Sequence, residues 1–305
     1  MAERIAQVDN QGGRRASLAG ETSTRRQPVV LVLRLLGGVL LYTLLILLAG
    51  IMIMPLVWML STASKPLGEA TSVVFHLIPK EFTLWENITV AFGRQPFALY
   101  IYNSAIVAIS ITVGQVLISA LAGYSFAKFR FPGRDLLFMG VLSTMMVPFF
   151  VVIIPLYIVV YSLGWLDTYW ALIVPGLVSA FGIFLMRQFM TSIPDELIDA
   201  ARIDGSHEVR TFFQIALPLA KPALSTLAIL SFMGSWDGYV WPLMVINDRS
   251  MMTLPLGLTV FRSSYITYWN ELMAMALIGV IPTFTIFFIF QRQFVEGVAI
   301  TGLKG

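Results

Sequence analysis

Residues 194–218 read PDELIDAARIDGSHEVRTFFQIALP, a polar stretch in an otherwise oily chain. Its local chemistry predicts a short helix, a break and a second short helix. Ser192 is placed to cap the first helix, with Asp195 three residues on as its capping-box partner. Pro194 falls in the first turn, where its missing N–H is harmless, and Asp195 and Glu196 suit the positive end of the helix dipole. Leu197, Ala200, Ala201 and Asp204 lie three or four apart and share a face. Gly205 can take the left-handed conformation that ends a helix. Ser206 is placed to cap the next one, and Pro218 and Pro222 mark the start of another apolar run. Two small alanines beside an acid, on a short helix at a membrane surface, are shaped to plug another protein's groove.

Composition sets the class around this stretch. The chain is 57% hydrophobic and 12% charged, with a mean hydropathy of +0.81, which excludes an ordinary soluble domain. With no cysteine there is no disulfide framework and no thiol chemistry. His76 and His207 lie far apart, so no His-based metal motif is visible. No Gly-Lys dipeptide occurs, which excludes a GxxxxGK[ST] phosphate loop. No series of membrane-buried carboxylates points to a proton relay. The sequence therefore predicts a membrane protein without a cofactor of its own, in contact with lipid and not with nucleic acid.

The predicted fold is all-α with six transmembrane helices. Residues 1–30 are polar and rich in arginine, and read as a disordered cytoplasmic tail. Arg25-Arg26 hints at a twin-arginine export signal, but the apolar run at 31–60 is far longer than a signal's hydrophobic region, so it reads as an uncleaved first span with Pro55 bending or ending it. The other spans are expected over 98–124, 135–161, 169–190, 222–241 and 269–291. Pro148 and Pro155 imply kinks in the third, and Pro175-Gly176 loosens the fourth. The membrane domain thus covers 31–291, with the polar segment at 192–218 inside and a second inner tail at 292–305. Lys65, Lys80, Arg94, Arg249 and Arg262 fall outside, and the other fifteen of the twenty lysines and arginines inside. That asymmetry places both termini in the cytoplasm.

The spacing in the opening stretch resembles a known signature. Asp199-Ala200-Ala201, three residues, Gly205, nine residues, then Ile215-x-Leu217-Pro218 is similar to the EAA motif of ABC-importer permease subunits. Only the first position departs, Asp199 standing for Glu, which keeps the charge and removes one methylene. Phe82-Thr83-Leu84 with Asn87, Trp241-Pro242-Leu243, Met252-Thr253-Leu254-Pro255 and the ending Gly302-Leu303-Lys304-Gly305 resemble the smaller permease of maltose-type carbohydrate importers. The resemblance covers nearly all of the chain after residue 30. It implies a MetI-like six-helix fold and a cytoplasmic coupling helix, with Asp199, Ala200, Ala201, Gly205, Ile215, Leu217 and Pro218 as the coupling residues. It also implies a second permease, a pair of ATPase subunits holding ATP and magnesium, and an external solute-binding protein that delivers a sugar.

The pathway candidates come from polar and aromatic residues within spans. Asn103 and Gln115 are amides in hydrocarbon, which must find partners. Ser104, Ala108, Thr112, Gln115, Ser119 and Gly123 form a small or polar stripe at helical spacing, most of it better suited to close helix packing than to a pathway. Trp236, Tyr239 and Trp241 either stack on sugar faces or belong to the interfacial aromatic belt. Asp237 lies well inside the fifth span, where a carboxylate marks a pathway or a pair. Asn270 and Glu271 are further hydrogen-bonding candidates. Two rival classes remain open at this point. One is a secondary transporter or channel, for which the chain offers no coupling ion site or filter. The other is a non-transporting membrane scaffold, which would not need the ordered Asp199–Pro218 set or Asp237. Within importers, the rival is the same architecture importing glycerol phosphate.

Overall fold

The computed structural model describes residues 26–74, 76–262 and 265–302, with side chains over 35–74, 76–262 and 265–291. Most of the predicted disordered tail, and all but the first residue of the Gly302–Gly305 ending, lie outside the described residues. Among those described, the fold is all-α, and the one extended pairing is an isolated antiparallel bridge between Arg262 and Thr267. The chain forms two units, 1–59 and 60–305.

The first unit is most of helix α1, Arg26–Ala63. Its apolar side chains over 35–59 are nearly all exposed, as a span facing lipid or another chain requires. Pro55 stays inside the helix and does not end it. The stop comes where Lys65 precedes Pro66, because a residue before proline is disfavoured in helical geometry.

The second unit takes in the connection between the first two spans, which carries short helices α2 (Leu67–Ala70) and α3 (Leu84–Arg94). Asn87 pins this connection: its amide donates to the carbonyls of Ala63 and Lys65 at 2.8 Å and accepts from Asn270 at 2.7 Å. Helix α4, Phe97–Lys128, follows and spans about 48 Å at the usual rise. Helices α5 (Arg134–Thr144) and α6 (Phe149–Ser162) replace the single third span; they meet at 98°. The break sits at Pro148, whose ring disfavours helical geometry at Val147, whereas Pro155 is accommodated within α6. Helix α7 (Tyr169–Ile173), a 3-10 turn at Val174–Gly176 and α8 (Ala180–Ser192) make the fourth span.

The polar stretch folds as α9 (Asp195–Ile203), α10 (Glu208–Thr211), a π turn at Phe212–Ala216 and α11 (Leu217–Leu219). Helix α12, Lys221–Trp236, leaves it at 81°. Helices α13 (Val240–Val245), α14 (Leu254–Gly257) and α15 (Trp269–Gly302) complete the order. The fifth span therefore ends five residues earlier than its sequence suggests. Pro242 explains this, since in a continuous helix its ring would strike the carbonyl of Gly238 and it has no N–H to donate. Helix α15 runs on past the predicted boundary at 291.

Leu35–Ala63, Phe97–Lys128, Tyr169–Ser192 and Trp269–Gln291 are each long and apolar enough to cross a membrane. The two bent pairs, Arg134–Thr144 with Phe149–Ser162 and Glu208–Leu219 with Lys221–Trp236, pass the same test, giving six spans among the described residues when each counts as one. Helix α4 is the hub of the second unit and packs on α8 and α12. At Gly123 a Cβ would lie 2.6 Å from Met186 Cβ, so this crossing requires the absence of a side chain. Ser119 and Gly123, the C-terminal end of the small or polar stripe, thus pack against α8, while Ser104 and Ala108 face α14 and α12.

Candidate functional site

Helix α9 is set up by its two ends. Pro194, extended, is its N-cap, and Asp195 and Glu196 occupy the first turn. Ser192 takes no capping role, because it closes α8 and its hydroxyl donates to Phe189 O at 2.7 Å. At the other end Gly205 has φ +80°, with Gly205 N–H donating to Arg202 O and Ser206 N–H to Ala201 O. This paired closure needs a left-handed residue, and glycine supplies it without strain. Ser206 is not the cap of α10. Extended His207 holds that position, and Ser206 Oγ accepts from Thr211 Oγ1.

The faces of α9 are divided by burial. Ile198 and Ala201 are buried, and Ile198 joins a core of Tyr124, Met186, Met190, Phe212 and Ala216. Leu197, Asp199, Ala200 and Ile203 point outward, Ile203 being 85% exposed. The two alanines of the signature thus face opposite ways. Val209 and Phe213 extend the exposed apolar surface. Ile215 and Leu217 are half-buried against the same core, while Pro218 is exposed. Pro218 cannot donate to the carbonyl of Gln214, and the π turn just before it opens the helix at that point.

Charge fixes α9 to its surroundings. Lys128 Nζ donates to Asp195 Oδ1 at 2.6 Å and to Ile193 O. That hydrogen bond and charge hold the Asp195 carboxyl below the usual carboxylate range. Arg202 bridges Asp199 at 2.9 Å and Glu208 at 2.7 Å, and Glu208 accepts from Tyr124 Oη at 3.3 Å. A polar cleft of about 340 Å³ opens between this helix and the basic loop, lined by Lys128, Arg130, Asp195, Asp199 and Arg202 among others. Sequence reasoning did not single out Lys128, Arg202, Glu208 or Tyr124 as partners of α9. A Lys closing a long apolar run was their one visible signal.

The pathway candidates scatter. Asn103 is fully buried and donates to Ser250 O and Met252 O at 2.9 Å, while accepting from Tyr169 Oη at 2.6 Å. Gln115 donates to Gly176 O at 3.1 Å. Trp236 stacks on Phe232, and its indole N–H donates to Gly279 O at 2.9 Å. Trp241 donates to Ala171 O. Asn270 reaches Asn87, and Glu271 pairs with Arg94 at 3.1 Å, whose guanidinium lies 4.3 Å from the centre of the Tyr268 ring. Asp237 and Tyr239 are exposed, and Asp237 closes α12 as its C-cap.

Residues 115–300 match the family described as "Binding-protein-dependent transport system inner membrane component". The chain belongs to this family. It is a multi-pass inner-membrane permease subunit of an ABC importer. The sn-glycerol-3-phosphate transport system permease protein UgpE of Yersinia enterocolitica is 37% identical, over 81% of this chain and 90% of its own length. The arabinooligosaccharides transport system permease protein AraQ of Halalkalibacterium halodurans is 35% identical over 84% and 93%. A solved bacterial ABC transporter involved in the import of the acidic polysaccharide alginate superposes with a TM-score of 0.76. That match covers 84% of this permease and 95% of that chain at 21% identity, and bears on the fold alone.

Proposed function

We propose that this permease draws its work from an ATP-hydrolysing partner that seats α9 in a surface cleft. The observation that carries the reading is the two-faced character of that helix. Ile198 and Ala201 anchor it, while Leu197, Ala200 and Ile203 stand outward beside Asp199. An exposed apolar knob with a charged rim is the anatomy of a protein–protein anchor. ATP and magnesium belong to the partner. As its two copies close, the docked helices are drawn together and the membrane bundles rock between inward-open and outward-open states. A second, different permease completes the pathway, and an external solute-binding protein delivers the solute. The charge asymmetry supports an orientation with both termini and α9 in the cytoplasm.

The proposed solute is a sugar. Asp237 and Tyr239, exposed at the end of α12, are the side chains offered to its hydroxyls and C–H faces. Asn103, Gln115, Trp236, Asn270 and Glu271 serve as wall and gate, since each holds a hydrogen bond or ion pair within the chain, although the buried Asn270 Oδ1 has no hydrogen-bond partner among the described residues. The rival is glycerol phosphate, favoured by the 37% identity to the UgpE protein. A phosphate asks for an available cation, and Arg94, the cation beside the outer start of α15, is already paired with Glu271.

Affinity purification of the tagged permease tests the first part, with an ATPase subunit expected in the recovered complex. Uptake of labelled sugars and labelled glycerol phosphate by cells lacking this chain tests the second. Loss of glycerol phosphate uptake alone replaces the sugar reading with its rival, and a permease recovered without any ATPase ends the coupling reading.

A further inference from the structure

Building on the reading of α9 as the helix that meets the ATPase, we infer that α4 is the strut carrying its motion to the outer loop at 247–261. Lys128 and Asn103 are the positioning residues at the two ends of that strut. They stand 25 residues apart on one helix (128 − 103), roughly 37 Å at the usual rise.

At the inner end, both ends of α9 are fastened to the last turns of α4. The Lys128 side chain is 3% exposed and holds Asp195, at the start of α9, and the carbonyl of Ile193 just before it. Beyond the other end, Arg202 clips Glu208, and Tyr124 of α4 donates to the second oxygen of the same carboxylate. The Tyr124 ring also packs on Phe212, with centroids 5.3 Å apart. A helix held at one point can swivel; held at two, it moves with what holds it.

The outer end repeats the arrangement. Asn103 takes the carbonyls of Ser250 and Met252, and Ser104 Oγ accepts from Leu254 N–H at 2.7 Å. Tyr100 packs against Gly257, where a side chain would collide with its ring. Four points of the outer loop, at Ser250, Met252, Leu254 and Gly257, are thus held by side chains within about one turn of each other on α4.

The shaft between the two grips is unbroken. Helix α4 contains no proline across its 32 residues. Three of its neighbours in the second unit are interrupted: α5 and α6 by a 98° bend, the fourth span by a 3-10 turn, and α10–α12 by an 81° bend, whereas α15 runs on through an internal Pro282. Sharp bends are the points where a helical path yields, so displacement passes most directly along α4.

The test uses the whole importer, purified with its native partner subunits, and Mg²⁺ with the non-hydrolysable nucleotide AMP-PNP as the probe. Hydrogen exchange is followed at 195–204 and at 249–258. In the native complex both segments change protection when the nucleotide binds. In Lys128→Met, α9 still responds, while the response at 249–258 falls by about fivefold or more, within the usual span of allosteric couplings. Asn103→Leu and the milder Ser104→Ala give the same split from the other end. The exchanged pair Lys128→Asp with Asp195→Lys restores the outer response. If Lys128→Met does not assemble, Asp195→Asn takes its place, because it leaves Lys128 its contact with Ile193 O. A lysine that merely stabilises its surroundings would alter exchange at 195–204 and leave the distant loop alone. An outer response of native size in Lys128→Met or Asp195→Asn, with α9 still responding, overturns the strut. An α9 that ignores nucleotide in the native complex overturns the docking reading itself, and this inference with it.

Discussion

Lys128 and Asp195 form an ion pair at 2.6 Å in which the cation is 3% exposed and the carboxylate 76% exposed. The lysine reaches it from the last turn of a membrane span, and the aspartate starts a surface helix. Because Lys128 depresses the Asp195 carboxyl, the link has a defined acid limit. A carboxylate whose folded value is lowered contributes stability above its unfolded value, about 3.9, and loses it as pH falls through the folded value. The melting temperature of the native permease should therefore exceed that of Asp195→Asn from pH 7 down to about 4, and the difference should close below that. Melting curves of both proteins in one detergent across this range check it. A difference that grows on acidification would mean the ion pair does not set the limit.

Gly205 is the second fixed point of α9. Its φ of +80° is left-handed, yet a Cβ there would meet nothing within 4 Å. The cost of substitution is thus conformational and not steric. Gly205→Ala should cost about 1–2 kcal/mol, Gly205→Asn less, and Gly205→Val more, because a β-branched side chain tolerates that region worst. Thermal melts should follow that order, with insertion into the membrane unchanged. Equal losses for Asn and Val would contradict a backbone origin.

The opposed alanines separate folding from docking. Ala201 is 7% exposed and turned into the core, so Ala201→Trp should destabilise the permease itself by about 1–3 kcal/mol or more. Ala200 is exposed, so Ala200→Trp should leave the melting temperature almost unmoved. It should instead reduce ATPase subunit recovered in pull-downs by about tenfold, which corresponds to roughly 1.4 kcal/mol at an overfilled contact. Full ATPase recovery with Ala200→Trp would show that the outward face of α9 is not the docking face.

Much of the polar segment at 192–218 was legible because its signals are local. The left-handed glycine, the acidic first turn and the spacing from Asp199 to Pro218 act within a few residues of themselves. What escaped was settled at a distance or by competition. Ser192 has a capping side chain, but its hydroxyl is taken by Phe189 O within the preceding helix. Pro148 announced a kink, yet the 98° turn depends on how α5 and α6 pack, which hydropathy does not encode. The pathway candidates were hardest. An amide or indole in a span must find a partner, and the partners proved to be carbonyls far along the chain, such as Ser250 for Asn103 and Gly279 for Trp236. Those distances leave no trace in local spacing.

Trp236 and Asp237 are adjacent in sequence and opposite in circumstance, which gives a direct separation of wall from pathway. The Trp236 ring is buried and its N–H is committed to Gly279 O, joining α12 to α15. Trp236→Phe removes that hydrogen bond, worth about 0.6 kcal/mol and up to roughly 1.7 between membrane helices. It should lower the melting temperature while leaving the KM for transported solute unchanged. Asp237 is exposed at the helix end, so Asp237→Asn should keep the melting temperature and raise the KM or slow uptake. Parallel melting and uptake measurements on the two variants decide it. A KM shift in Trp236→Phe at unchanged stability would put the indole on the solute's path, and an unstable but transport-competent Asp237→Asn would make that carboxylate a structural cap.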